Sequence, residues 1–211
     1  MTLPDSLQTL LSLVPPEHGA DEQVDWAAAE EALGTRLPSD YRAFMAVYGA
    51  GSFGELDILG PLPVEYPQWD PGSIVADTPQ LRMLCAEEAG PLAPAIDAAA
   101  VLAWGAGCNA NELGWLTVDE DPDRWPVVAW RRQIAWNDSH VAVFDCGMTD
   151  FLVRMMRAEF DTCPLGDASL WGKTAPFVHW REQQRRWQAG LCPETGEPDP
   201  VIQGFLQWPD S

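Results

Sequence analysis

Between residues 100 and 146 four short apolar or alternating runs, "AVLAWG" at 100–105, "LGWLTV" at 113–118, "WPVVAW" at 125–130 and "HVAVFDC" at 140–146, are split by segments rich in Asn, Asp, Gly and Pro. That pattern is an antiparallel meander, and it sets what the rest of the chain must do. Helical stripes lie on both sides of it. Before it come Leu7, Leu10, Leu11 and Val14; then Trp26, Ala29 and Leu33; then Tyr41, Phe44, Met45 and Tyr48, with Pro38 and Ser39 as start signals. A helix opening at Thr78-Pro79 carries Leu81, Leu84 and Cys85 inward. After the meander, Thr149 is positioned to cap "DFLVRMMRAEF", and a late helix is expected around Phe177, Trp180 and Trp187, followed by a Pro-rich tail.

The stretch "YGAGSFG", residues 48–54, holds Gly49, Gly51 and Gly54 in the spacing of a dinucleotide-binding turn. Its flanks are in the wrong order. A pyrophosphate site needs a strand before the glycines and a helix N-terminus after them. Here an amphipathic helix precedes, and "ELDILGP", a short half-buried strand, follows. Gly49 is therefore read as a left-handed helix cap and Gly51 and Gly54 as a tight turn. No cofactor is expected.

The charge is uneven. Residues 1–123 contain 21 acidic and three basic residues, Arg36, Arg42 and Arg82, whereas residues 124–211 contain 11 acidic and nine basic, within a net charge of −20. Such a field repels nucleic acid and anionic membrane and speeds the approach of a basic partner. The amphipathic N-terminal segment lacks the basic region of a signal peptide, and no apolar run approaches a membrane span. Five cysteines, with no C-x-x-C pair, fit reduced thiols in the cytoplasm.

Catalytic and metal patterns fail on inspection. "DEDPD" places Asp119, Asp121 and Asp123 like the first half of a calcium loop, but Arg124 stands where the turn glycine belongs and Trp130 where the bidentate Glu belongs. His18, His140 and His179 have no zinc spacing, and Cys108, His140 and Asp145 make a dyad only on paper. "LCPETG" at 191–196 is not a sorting signal, because Cys192 interrupts it. No catalytic or metal residue is expected.

"VDWAAAEEALGTRLPSDYRAFMAVYGAGSFGELDILGP", residues 24–61, resembles the signature of the SUKH superfamily, the Smi/Knr-like proteins: Trp and Glu on one helix, L-G-x-x-L-P-x-D-Y, an aromatic second helix, a glycine turn and a strand ending in Pro. "DEDPDRWPVVAW" is similar to that family's acidic turn and strand, and "FLVRMMRAEF" to its closing helix. The resemblance implies an α+β fold, with helices packed on one mainly antiparallel sheet. Residues 1–20 are then an N-terminal helix, 21–160 the SUKH-like domain, and 161–211 a C-terminal helical extension packed on the same core. It also implies a cytoplasmic binding protein. Bacterial members resemble immunity proteins that neutralise a toxin, often a nuclease, and fungal members resemble adaptors; a small-molecule-binding module is the other alternative.

Charge and resemblance together point to a cognate basic toxin domain as partner, with neither nucleic acid nor membrane bound. The expected contact residues are Asp57, Glu65, Trp69, Asp70, Glu112, Trp115 and the turn Asp119, Glu120, Asp121 and Asp123. Several acidic groups are expected to share one face with Trp69 and Trp115 as aromatic anchors. The first helix pair is expected to lock Trp26 and Leu33 against Phe44 and Tyr48.

Overall fold

A computed structural model describes residues 3–17, 22–64, 71–88, 94–107, 109–135, 138–166 and 170–207. Among them lie seven α-helices: α1 (Asp5–Leu13), α2 (Trp26–Leu33), α3 (Ser39–Val47), α4 (Ile74–Glu87), α5 (Met148–Met156), α6 (Trp180–Gln188) and α7 (Pro200–Leu206). Seven strands, β1 (Gly51–Phe53), β2 (Leu56–Ile58), β3 (Val101–Gly107), β4 (Glu112–Leu116), β5 (Val127–Trp130), β6 (Val141–Phe144) and β7 (Phe177–His179), form one antiparallel sheet in the order β6-β5-β4-β3-β2-β1-β7. The fold is α+β, and the meander predicted from 100–146 is β3 to β6.

Strand alternation sends the larger apolar side chains to one face, which α1, α3 and α5 cover. There Tyr41 meets Trp115 edge-on at 5.3 Å, Phe44 meets Phe53, and Phe151 meets Trp104. The register slips between Ala103 and Gly105, so Trp104 is the extra residue of a bulge, and its ring is fully buried. Helix α4 lies on the opposite face over β3. A Cβ on Gly114 would sit 2.6 Å from a Leu81 methyl, so the glycine lets the helix approach.

The helix starts are tied across the fold. Asp123 accepts from the Ser39 amide at the start of α3 at 2.5 Å, and Asp40 in the same first turn accepts from the amide (2.9 Å) and hydroxyl (3.1 Å) of Thr149 in α5. Thr149 in turn shares a 2.6 Å hydroxyl contact with Ser6 of α1. Burial raises the Asp40 carboxyl, although the Thr149 and Tyr41 bonds pull the other way. The N-cap of α5 is Gly147, not Thr149, and the missing cap is supplied from α3.

Other differences from the sequence reading have equally local causes. Helix α4 begins at Ile74, capped by Ser73, and Pro79 sits inside it rather than at its start. The Thr78 hydroxyl bonds back to Ile74 O at 2.6 Å and also accepts from Ala103 N, anchoring the turn that Pro79 weakens. Helix α2 is capped by Asp25. Trp26 is half-buried and packs edge-on against Tyr41, with the Arg42 guanidinium 4.6 Å over its ring, instead of meeting Phe44 and Tyr48. Those two belong to a separate aromatic cluster with Phe53 and Phe177. Phe177 is thus not helical but opens strand β7, which pairs with β1. The tail carries helix α7, capped by Asp199 with Pro200 at its first position.

The glycine stretch joins α3 to β2, the helix-then-strand order the flanks predicted, and contains the short strand β1 within it. Gly49 has φ +72° and Gly54, in the β1–β2 turn, φ +57°. Gly51 is not in the turn but in β1, where a Cβ would lie 2.3 Å from the Val178 carbonyl.

Candidate functional site

Cross-strand partners share a sheet face, and the register runs Asp57 to Ala106, Ala106 to Glu112, and Glu112 to Trp130. Two acidic side chains therefore flank the small Ala106, with Cα atoms roughly 10 Å apart at two strand spacings. This is the face on which α4 lies, not the one filled by Trp115. Burial, then the nearby Glu194, pushes Asp57 up to about 7; burial, then Asp77 of α4, pushes Glu112 up to about 7. Asp57 keeps solvent exposure, so water screens part of that effect. The pair is a patch of carboxyls part-protonated near neutrality, suited to a cation that restores their charge. Trp130, half-buried beside Glu112, stacks on His140 at 5.4 Å.

This arrangement has a consequence for stability. Both groups have folded values above their ordinary 3.8 and 4.5, so the unfolded chain releases these protons first as pH rises. Their contribution to stability falls between about pH 4 and about pH 7 and is flat above that window. The double variant Asp57→Asn, Glu112→Gln should melt progressively higher than the parent as pH rises through that window. Parallel Tm curves for the two proteins would refute the assignment.

The other predicted contact residues are dispersed. Trp115 is 0% exposed, held in the core between Tyr41 and Trp104, because alternation along β4 turns it away from Glu112. It presents nothing to a partner. The acidic turn leaves β4 at the end opposite Glu112 and is engaged internally. Asp119 accepts from the Asp121 amide and pairs with Arg124 at 3.4 Å, Asp121 accepts from the Asp123 amide, and Asp123 caps α3. Glu120, Asp121 and Asp123 nevertheless remain exposed to solvent, and Asp119 is half-buried. Glu65, Trp69 and Asp70 lie outside the described residues, as do His18 and Cys108. The Nδ1 of His140 lies 2.6 Å from Arg131 O. Burial pushes the Cys85 thiol up to about 11 and that of Cys146 to about 12, so neither is a ready thiolate. Among the described residues no cluster of His, Cys, Asp or Glu could hold a metal, and no helix is long and apolar enough to cross a membrane.

A pocket of about 210 Å³ opens where the segment before α2 meets the loop after β2. Its walls include Val24, Met45, Ala50, Pro61, Leu62 and Trp180, and Glu22 stands at its edge. Burial raises the Glu22 carboxyl, but bonds from His179 Nε2 (2.7 Å) and Trp180 Nε1 (3.0 Å), with the nearby Arg181 charge, outweigh it and hold the carboxyl below its ordinary range. The His179 Nδ1 accepts from the Arg181 amide, so Nε2 carries the hydrogen and donates it in the bond to the Glu22 carboxylate. Glu22 and His179 are 157 positions apart, and neither residue carries a sequence signal for the pair.

Fold and surface define an α+β protein in which helices flank one antiparallel sheet and leave an acidic patch and a small apolar pocket open. The family model described as SMI1-KNR4 cell-wall matches residues 23–145, more than half of the chain, and the protein belongs to that family, as the resemblance of residues 24–61 implied. No curated protein and no solved structure matched it.

Proposed function

We propose that the protein is a non-enzymatic immunity protein of the cytoplasm that neutralises a basic, nuclease-type toxin domain through its acidic surface. The carrying observation is the placement of Asp57 and Glu112 on one sheet face, flanked by Asp77 and Glu194, in a chain whose first 123 residues hold 21 acidic groups against three basic ones. A toxin that grips nucleic acid is basic, and a polyanion-like surface draws it in and blocks it. Trp130 beside Glu112 joins these contacts, and the turn Asp119, Glu120, Asp121 and Asp123 at the other end of β4, with Glu65, Trp69 and Asp70, remains part of the proposal. A second reading, an adaptor or small-molecule-binding module of Smi/Knr type, is favoured by the pocket beside Trp180.

The test is a kinetic titration with a purified basic toxin domain, sought among the products of neighbouring genes. Association should slow as salt rises, and Glu120→Lys combined with Asp57→Asn and Glu112→Gln should slow it severalfold with little change in dissociation. Because Asp57 and Glu112 ionise near 7, association should also be faster at pH 8 than at pH 6. A salt-independent rate would favour the second reading.

A further inference from the structure

We propose that the pocket between Glu22, Pro61–Leu62 and Trp180 is the socket for one aromatic side chain carried on a basic segment of the partner protein. The inference rests on the reading of the chain as an inhibitor of a basic protein and adds where that protein is gripped.

Size fixes the kind of guest. A cavity of about 150 Å³ in an apolar core takes up benzene, whereas drug-sized ligands occupy about 300 Å³ or more. At about 210 Å³ the socket holds one ring and little else. Its floor is firm, since Met45 is 1% and Ala50 6% exposed, and both belong to the end of α3 and its glycine turn. Pro61, Pro63 and Pro71 stiffen the outer wall, which lowers the ordering cost of receiving a side chain.

Charge fixes what carries the guest. Among the described residues the lining contains Glu22 and Asp25 but no Lys or Arg; Arg181, just outside it, pairs with Glu22 at 3.6 Å and lies over the Trp180 ring, which leaves the rim net acidic. Glu22 is held ionised by His179, Trp180 and Arg181, and Asp25 caps α2. An aromatic residue flanked by Arg or Lys would seat its ring between the prolines and Trp180 while its neighbours meet these carboxylates; flanking acidic residues would be repelled. Aromatic anchors in small desolvated sockets are also the groups that dominate protein interfaces.

The test uses the full chain carrying ¹³C-methyl methionine, because the Met45 methyl reports a ring entering the socket. The probes are end-blocked Arg-Phe-Arg, Glu-Phe-Glu and Arg-Ala-Arg peptides and free indole. Arg-Phe-Arg should shift the Met45 signal saturably, with the other two peptides at least about fivefold weaker. Ala50→Leu, which fills the socket, and Val24→Trp, which crowds its half-buried rim, should each abolish the shift while leaving the thermal melt cooperative. Equal responses to the three peptides, no saturable shift, or indole binding more tightly than Arg-Phe-Arg would each overturn the socket. None of these results touches the salt dependence of toxin association, so the two readings fail separately.

Discussion

Phe177→Ala should cost about 3–5 kcal/mol of stability, the usual range for emptying a buried aromatic site. Phe177 is 3% exposed and packs within 6 Å of Phe44, Tyr48 and Phe53, so its ring closes the aromatic cluster at one end of the sheet. It also opens β7, which gives β1 its outer partner. The loss lies far beyond the family-matched residues 23–145, and that makes the experiment informative. Urea unfolding monitored by near-UV circular dichroism should show one transition moved to lower denaturant. A loss under about 1 kcal/mol would mean that the segment after residue 160 is an appendage rather than part of the core.

Gly49→Ala should be the second large effect, about 2–4 kcal/mol. The left-handed φ of +72° costs a side chain about 1 kcal/mol, and the new methyl would stand 2.6 Å from His179 Nε2, an overpacking worth roughly 1–3 kcal/mol more. His179 is 4% exposed and held at both ring nitrogens, so it has little room to yield. The variant should therefore loosen Glu22 and Trp180 as well, and a shifted Trp180 indole N–H signal should accompany the lower Tm. An unchanged Tm would show that the glycine is dispensable there.

The local grammar of the fold was legible in the sequence wherever one segment sufficed. Period 3.6 located α3 and α5, and alternation with turn residues located β2 to β6. Strand β7 was not legible, since three residues between Pro176 and a helix carry no pattern, and only the open edge of β1 makes "FVH" a strand. The start of α4 was misplaced because Pro79 looks like a first-turn residue, and it takes Ala103 and Ile74 around Thr78 to make it tolerable further in.

The candidate site was legible in part. Asp57 and Glu112 do share a sheet face, but Trp115 lies on the other by the alternation of its own strand; Trp130, opposite Glu112, is the aromatic on their face. Nothing in "DEDPD" reveals that the Ser39 amide, 84 positions earlier, is bonded to Asp123, so the structural role of that turn beside its exposed charge was not legible. The pocket beside Glu22 and Trp180 joins distant segments, and sequence patterns report only neighbours.

The pairing of β1 with β7 also has a consequence on the ribosome. Gly51 finds its outer partner in His179, 128 positions further along the chain, after all the other strands have been made. At translation rates of about 5–20 residues per second, roughly 6–26 s pass between synthesis of the two. During that interval the nascent sheet has an unpaired edge and the Phe44, Tyr48 and Phe53 rings lack their fourth member. A newly made chain is therefore sticky until the segment holding β7 emerges.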